Sequence, residues 1–525
     1  MSAQAAGPAG AADGGGWKPK HNPWLIAVVV TVAAFMEILD TTIVNVALPH
    51  IAGSLSSTYD DATWTLTSYL VANGIVLTIS GWLGKLLGRK RYFLICIAMF
   101  SLSSFLCGIA TSLPELILFR LMQGFFGGGL QPNQQSIILD TFPPNKRAAA
   151  FGLTAIATVV APVLGPSLGG WITDNYSWRW VFFINVPVGI LATIAVSIMI
   201  DDPPWARKQS APLDFVGIGL ITIGFGCLEV AVDRGEDEDW FGSRIIVIMS
   251  ILAVLGIGGA IVWLLRVKHP AVDLRVFKDR NFAVGTGLMG AVGALLYSSA
   301  IIVPQFSQQI MGYTATLSGL ILSPGGVAVI ILIPMVGIAM KHVQLRYIIA
   351  CGFFLMGASM LWSAQLVPSL DFRHLVMFRM SQTATLAFLF VPISTITYAT
   401  LPRELNADGS ALFSMSRNVL GSLSISGATA LVTELRQAHQ NQMVHWMTPY
   451  HQPFNEYLAQ SRAVALARGY AQSAINNVAM GRLYKEFQRQ VAILAYNEVF
   501  MILGIGAMLV VPFCFLMAPL KGGDK

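Results

Sequence analysis

Phe35-Met36-Glu37-Ile38-Leu39-Asp40-Thr41-Thr42-Ile43-Val44-Asn45-Val46-Ala47-Leu48-Pro49 sets two acids inside an apolar run that extends from about residue 24 to 48. About 20 mainly apolar residues make a membrane-spanning helix. The i,i+3 spacing puts Glu37 and Asp40 on one face of that helix. A charge near the centre of a spanning helix costs roughly 2.5–3.5 kcal/mol on insertion scales, so both acids should face protein and either pair or take up a proton. Two readings follow: proton or cation handling, or a fixed structural pair with an arginine.

The rest of the chain agrees with a membrane setting. Of 525 residues, 55% are hydrophobic and 11% charged, whereas soluble domains carry about 25% charged residues. This excludes a soluble enzyme, a disordered chain and a nucleic-acid module. The net charge of +6 is scattered in short basic runs between apolar stretches. Fourteen runs read as spans, near 24–48, 63–84, 92–111, 114–139, 147–172, 180–200, 213–232, 244–265, 281–303, 314–338, 346–366, 373–400, 408–432 and 495–519. None alternates with period two, so strands are not expected. With the N-terminus inside, most of the 33 Lys and Arg fall on the cytoplasmic side, while the short external loops hold only Arg179, Arg234, Arg244 and Arg373. That bias supports cytoplasmic N- and C-termini. Residues 1–23 read as a disordered tail. The five cysteines all lie in apolar stretches and read as fillers rather than disulfide partners.

An internal repeat organises the spans. Phe119-Arg120-Leu121-Met122-Gln123 recurs 259 residues on as Phe378-Arg379-Met380-Ser381-Gln382, and Thr141-Phe142-Pro143 as Thr400-Leu401-Pro402. Span 4 therefore matches span 12, where a duplicated six-helix unit would match it to span 10. Two spans are inserted between the halves. The expected division is a bundle of six helices at 24–200, a linker with two inserted helices at 201–270, and a second six-helix bundle at 271–525. Such repeats place a substrate site near the bilayer midplane, between halves that rock against each other. One external loop is long, 433–494, with Phe454, Tyr457, Leu458, Tyr470 and Phe487 among polar residues. Its stretch from about 454 to 492 has no proline and can form amphipathic helices. It is either a solvated cap or a docking surface. His439, His445 and His451 stand six apart there, which does not place them on one helical face, and no metal site is expected.

Other motifs carry polar groups into the spans. Arg120 cannot shed its charge and needs an internal anion or carbonyls. Gly124 and the glycines after it allow close helix approach, and Arg379 is the repeat counterpart of Arg120 without those glycines. Span 5 holds Pro162, Gly165, Pro166, Gly169 and Gly170, a small-residue face with two potential bends. Gly81, Gly84 and Gly88 lead into Arg89-Lys90-Arg91, a tight basic turn between spans 2 and 3 that reads as a cytoplasmic gate loop.

On these residues the chain resembles the major facilitator superfamily, and within it the fourteen-span drug:proton antiporters of the EmrB/QacA type. The resemblance runs from about Trp24 to the last span. Leu39-Asp40 through Asn45 to Pro49 is similar to the span-1 signature of that branch, and Gly81–Arg91 to the first-loop motif. Arg120, Gln123 and Gly124 match a span-4 motif linked with proton transfer. Gly165-Pro166 with Gly169-Gly170 matches the antiporter motif of exporters. Trp180 to Gly189 and Asp233 to Phe241 are also similar to the EmrB group. The first-loop motif usually has an acid where Lys85 stands, which puts an ion-pair lock built on that acid in doubt. The resemblance implies a proton-coupled exporter of amphipathic compounds in the inner membrane, with Asp40, Glu37 and Arg120 handling protons. It implies a substrate pathway near Asn45, Gln123, Gly124 and the span-5 motif. It further implies a periplasmic membrane-fusion adaptor of the EmrA type and an outer-membrane channel of the TolC type. Competing readings are an exporter of one endogenous metabolite such as a siderophore or toxin, a proton:solute symporter, and a membrane sensor or assembly protein that moves nothing. No nucleotide-binding or nucleophile motif is present, so no cofactor is expected and the energy source is the proton gradient.

Overall fold

The structure is a computed structural model that describes residues 19–204, 214–236, 238–367 and 370–519. The tail at 1–18 and most of the 201–213 linker lie outside the described residues. Among the described residues there is no β-strand. In order come α1 (Pro23–Ser54), α2 (Tyr59–Leu87), α3 (Arg89–Ile109), α4 (Leu113–Gly127), α5 (Leu130–Thr141), α6 (Pro144–Asn175), α7 (Trp180–Phe183) and α8 (Asn185–Met199). Then follow α9 (Phe215–Arg234), α10 (Arg244–Arg266), α11 (Arg280–Gln309), α12 (Ala315–His342), α13 (Leu345–Ser363), α14 (Phe372–Thr385), α15 (Ala387–Thr397), α16 (Asn406–Met443), α17 (Gln452–Ala467) and α18 (Ile475–Val510).

The helix ends follow local chemistry. The Asn22 side chain accepts from the Trp24 amide at 2.9 Å with Pro23 at the first helical position, a pairing suited to a helix start. Asp214 caps α9 at the Gly217 amide (2.9 Å). It also accepts from Trp263 Nε1 (2.8 Å) and the Ala271 amide (3.1 Å), tying the two ends of the α9–α10 hairpin together. Gly88 joins α2 to α3 with φ of +83°, which a side chain would strain.

Twelve helical segments among the described residues are long and apolar enough to cross a membrane. Two of the fourteen expected spans are not among them. The run at 114–139 is broken into α4 and α5 at Gly128-Gly129, and α5 carries Gln131, Asn133, Gln134 and Gln135. The run at 408–432 lies in α16, which is long enough but carries six serines together with Asp408, Arg417 and Asn418. Many large apolar side chains point outward, among them Leu191, Val254, Leu255 and Ile331. Water would not tolerate so much apolar surface; lipid does.

Helices α1–α6 and α8 pack on one another, as do α11–α16 and α18. Contacts between the two sets run through α6 with α12 and α2 with α16. The α9–α10 hairpin rests on α2 and α16 through α9. Asp233 accepts from Thr67 of α2, and Glu229 accepts from Ser422 of α16 at 2.8 Å.

The long loop is largely helical. It consists of the overhang of α16, then α17, then the first turns of α18. Phe454 and Leu458 of α17 pack on Ala479 and Leu483 of α18. Phe454 and Leu458 are therefore buried, Phe487 is buried as well, and Trp446, Tyr450, Tyr470 and Tyr484 are exposed. His439 bonds Glu498 at 2.9 Å, and His445 and His451 flank Trp446.

Candidate functional site

Asp40 and Arg120 are both fully buried, and Arg120 Nη1 donates to Asp40 Oδ2 at 2.6 Å. The other Asp40 oxygen accepts from Gln123 Nε2 (3.0 Å) and Asn185 Nδ2 (2.7 Å). Arg120 also donates to Gln123 Oε1 (2.8 Å) and, through Nε, to the Thr65 carbonyl (3.1 Å). Its guanidinium lies 4.1 Å from the centre of the Tyr69 ring. Four helices thus converge on one carboxylate: α1 with Asp40, α2 with Thr65 and Tyr69, α4 with Arg120 and Gln123, and α8 with Asn185. Bonds from a guanidinium and two amides suit an ionised acid.

Glu37, 1% exposed and one turn away, has different company. Its Oε1 accepts from Asn73 Nδ2 (3.0 Å) and the Tyr69 hydroxyl (3.4 Å), and its Oε2 from Gln131 Nε2. None of these donors is charged. Gln131 Oε1 in turn accepts from Arg417 Nη2 of α16. A second contact joins the same two helix sets nearby, from the Tyr398 hydroxyl to Gln135 Oε1 at 3.2 Å. The polar run of α5 thus connects Glu37 of α1 to the second repeat.

Close packing holds α1 in place. A Cβ at Gly165 would collide with Thr42, and one at Gly169 would come within 2.8 Å of the Ile43 carbonyl. These glycines set α6 against α1 directly after Asp40. Pro162 and Gly170 are buried, Pro166 is half-buried, and α6 runs unbroken through both prolines. Gly124 lets α4 approach the Tyr69 backbone. Asn45 is exposed and takes no part in the Asp40 cluster.

The turn after α2 divides its work. Lys85 forms an ion pair with Asp408 at the start of α16, and Gly81 abuts Ala407 and Asp408. An ion pair between the helix sets is therefore present with its acid on α16 and its base on α2. Arg89 pairs instead with Asp140 of α5. The Lys90 amide donates to Asp202 at 2.8 Å, while burial pushes the Asp202 carboxyl above the usual carboxylate range. Arg91 is exposed, and Gly84 lies near Asn133. Arg379 is buried away from this turn and from Asp40, in the second helix set.

Several of these residues were not singled out by the sequence. Asn73 is an isolated polar position in an apolar run, Asn185 lies in the Trp180 to Gly189 stretch without a role of its own, and Arg417 sits among Ser416 and Asn418. Gln131 does have a signal, the cluster Gln131-Pro132-Asn133-Gln134-Gln135 inside a span. Glu229 has one too, an acid inside the run at 213–232, far from Asp214 at the edge of that run.

Helices this apolar around buried ion pairs define a multi-pass membrane protein of the transporter kind. Residues 30–425 match the family model of the Major Facilitator Superfamily. The chain is 34% identical over 510 residues to the multidrug export protein EmrB of Escherichia coli strain K12, spanning 96% of this chain and 98% of that one. It is 33% identical over 495 residues to the fatty acid resistance protein FarB of Neisseria gonorrhoeae, spanning 94% and 96%. The fold is also similar to the crystal structure of the human organic anion transporter MFSD10, with a TM-score of 0.55 at 12% identity, covering 93% of this chain and all of that one. The chain belongs to the major facilitator superfamily, in its EmrB-type family of drug:proton antiporters.

Proposed function

We propose that this protein is a proton-driven exporter of small amphipathic compounds. The observation that carries the reading is the pair of acids on α1 with unlike partners. Asp40 is matched by a cation, and Glu37 only by neutral donors. Glu37 is the group that gains and loses the proton, and Asp40 with Arg120 holds the surrounding helices in register. An ionised Glu37 draws the Gln131 amide toward itself and so polarises the Gln131–Arg417 bond. A proton on Glu37 weakens that chain and loosens the contact between α5 and α16. Proton uptake and separation of the two helix sets are thereby linked. No cofactor enters the cycle, no enzymatic step is needed, and the proton gradient supplies the energy. EmrB is named for multidrug export and FarB for fatty acid resistance, and both names support export of drug-like or fatty-acid-like compounds.

The architecture that serves this is two six-helix bundles with α9–α10 inserted between them. The broken helix α4–α5 and the polar α16 complete fourteen spans. Polar spans belong at the centre of a transporter, where they meet each other rather than lipid. The chain lies in the inner membrane with both termini in the cytoplasm. A membrane-fusion adaptor and an outer-membrane channel extend the route, with the helical loop at 433–494 as the docking element.

Proteoliposomes under an imposed pH gradient test the proposal. Uptake of a fluorescent lipophilic cation should follow the gradient, vanish with a protonophore, and fall at least about tenfold in Glu37→Gln. Transport that survives the protonophore, or a Glu37→Gln/Asp40→Asn double variant with wild-type rates, overturns the coupling.

A further inference from the structure

Arg379 repeats the geometry of Arg120 with two differences. Each arginine uses Nη1 to reach the residue 80 positions before it: Asp40 at 2.6 Å for Arg120, and Ser299 at 2.7 Å for Arg379. Each donates to the glutamine three positions on, at 2.8 and 3.3 Å. The carboxylate of the first repeat has become a hydroxyl in the second. Ser299 itself donates to the Leu295 and Leu296 carbonyls, at 2.7 and 3.1 Å, and brings no negative charge. The second anchor has changed as well. Thr65, whose carbonyl takes Arg120 Nε, corresponds by the same 259-residue offset to Pro324, whose carbonyl takes no bond from Arg379 Nε.

The consequence is a buried cation with donors to spare. Arg379 is 1% exposed, and neither its Nε nor its Nη2 meets an acceptor. Among the described residues no carboxylate forms an ion pair with it. The guanidinium is nonetheless held in place, because Nη1 bonds both Ser299 and Gln382 and Gln382 is fixed by Ser363 at 2.8 Å. An arginine keeps its charge at any working pH. A lone charge in a low-dielectric interior is strongly unfavourable, and the remedy is an anion. Nε and one Nη form the side of a guanidinium that receives carboxylates and other small anions in paired bonds.

We propose that the Arg379 site binds a small monovalent anion, which does in the second repeat what the Asp40 carboxylate does in the first. The ligand is either an inorganic halide or the carboxylate group of an organic acid. The site rests on the fold alone and does not depend on the exporter reading. The test is thermal unfolding of the purified full-length chain in detergent, at fixed ionic strength, in the sodium salts of chloride, acetate or a bulky aminosulfonate. The wild type should gain about 2 °C or more, saturably, in chloride or acetate over the aminosulfonate. A gain in chloride alone identifies the halide, and a gain in acetate alone identifies the carboxylate. Ser299→Asp supplies an internal anion and should unfold at a high temperature that is the same in all three salts. Arg379→Gln should also lose the anion dependence. Wild-type shifts equal to those of Ser299→Asp in every salt overturn the site. If Arg379→Gln does not fold, the comparison with Ser299→Asp decides alone.

Discussion

Glu37 and Asp40 stand one turn apart on a single helix, yet what surrounds them separates their roles. Asp40 receives a guanidinium and two amides, while Glu37 receives an amide from α2, an amide from α5 and a phenol. Arg120 bonds through two different edges, Nη1 toward Asp40 and Nε toward the Thr65 carbonyl. A lysine ammonium can keep the first contact but lacks the planar fork to hold both. Arg120→Lys should therefore express and fold, with the transport rate in proteoliposomes lowered about tenfold or more. Arg120→Gln leaves Asp40 buried without its cation and should destabilise the protein by about 3–5 kcal/mol, read as a loss of folded protein on size exclusion after mild heating. Wild-type transport in Arg120→Lys would show that the Thr65 contact is idle. Most of this cluster was legible beforehand, because an acid or arginine in an apolar run must find a partner inside protein. Which partner each acid takes was not legible, since Asn185 and Asn73 come from helices whose rotation only packing sets.

Among the elements, α5 and the end of α2 do the joining. The α5 run from Gln131 to Gln135 is too polar for a lipid-facing helix, and its side chains reach Glu37, Thr31, Thr154, Arg417 and Tyr398 instead. The repeat of span 4 as span 12 was readable from short motifs, and Arg379 with Ser299 reproduces the Arg120 geometry. The polarity that keeps α4–α5 and α16 from resembling ordinary spans is the same property that places them against other helices. Lys85 is a reversal that the sequence could only pose as a question, because the answering acid, Asp408, lies more than 300 residues away. The pair has its base on α2 and its acid on α16. Lys85→Asp should place two acids together and weaken the contact between the helix sets. The double variant Lys85→Asp/Asp408→Lys should restore it with its signs exchanged. A cysteine cross-link between positions 81 and 407, which abut, should form fast in the wild type, several-fold more slowly in the single variant, and at near wild-type rate in the double variant. Equal cross-linking in all three would remove the ion pair from any gating role.

For the molecule as a whole, the question is which surface faces another protein. Most exposed apolar side chains lie on spanning helices and face lipid, so they say little about partners. The helical loop between α16 and α18 is different. The sequence located the loop and its helical tendency but not the direction of its aromatics. Amphipathic spacing allows Phe454 and Leu458 to face outward or to close a hairpin, and packing on Ala479 and Leu483 closes it. Those side chains hold the loop's shape. Tyr450, Tyr470 and Tyr484 remain outside, with Tyr450 at 96% exposure. Exposed tyrosines are common anchors in protein interfaces, and their removal from a surface usually changes stability by no more than about 0.5 kcal/mol. The triple variant Tyr450→Ala/Tyr470→Ala/Tyr484→Ala should therefore separate two properties. Proton-driven uptake in proteoliposomes should match the wild type, because none of the three approaches the acids of α1. Copurification with a membrane-fusion adaptor, and drug resistance of intact cells with two membranes, should both fall several-fold. Retained copurification would move the docking surface off this loop, to the lipid-facing sides of the spans. Lost uptake in a variant that still folds would place the loop on the path of the exported compound.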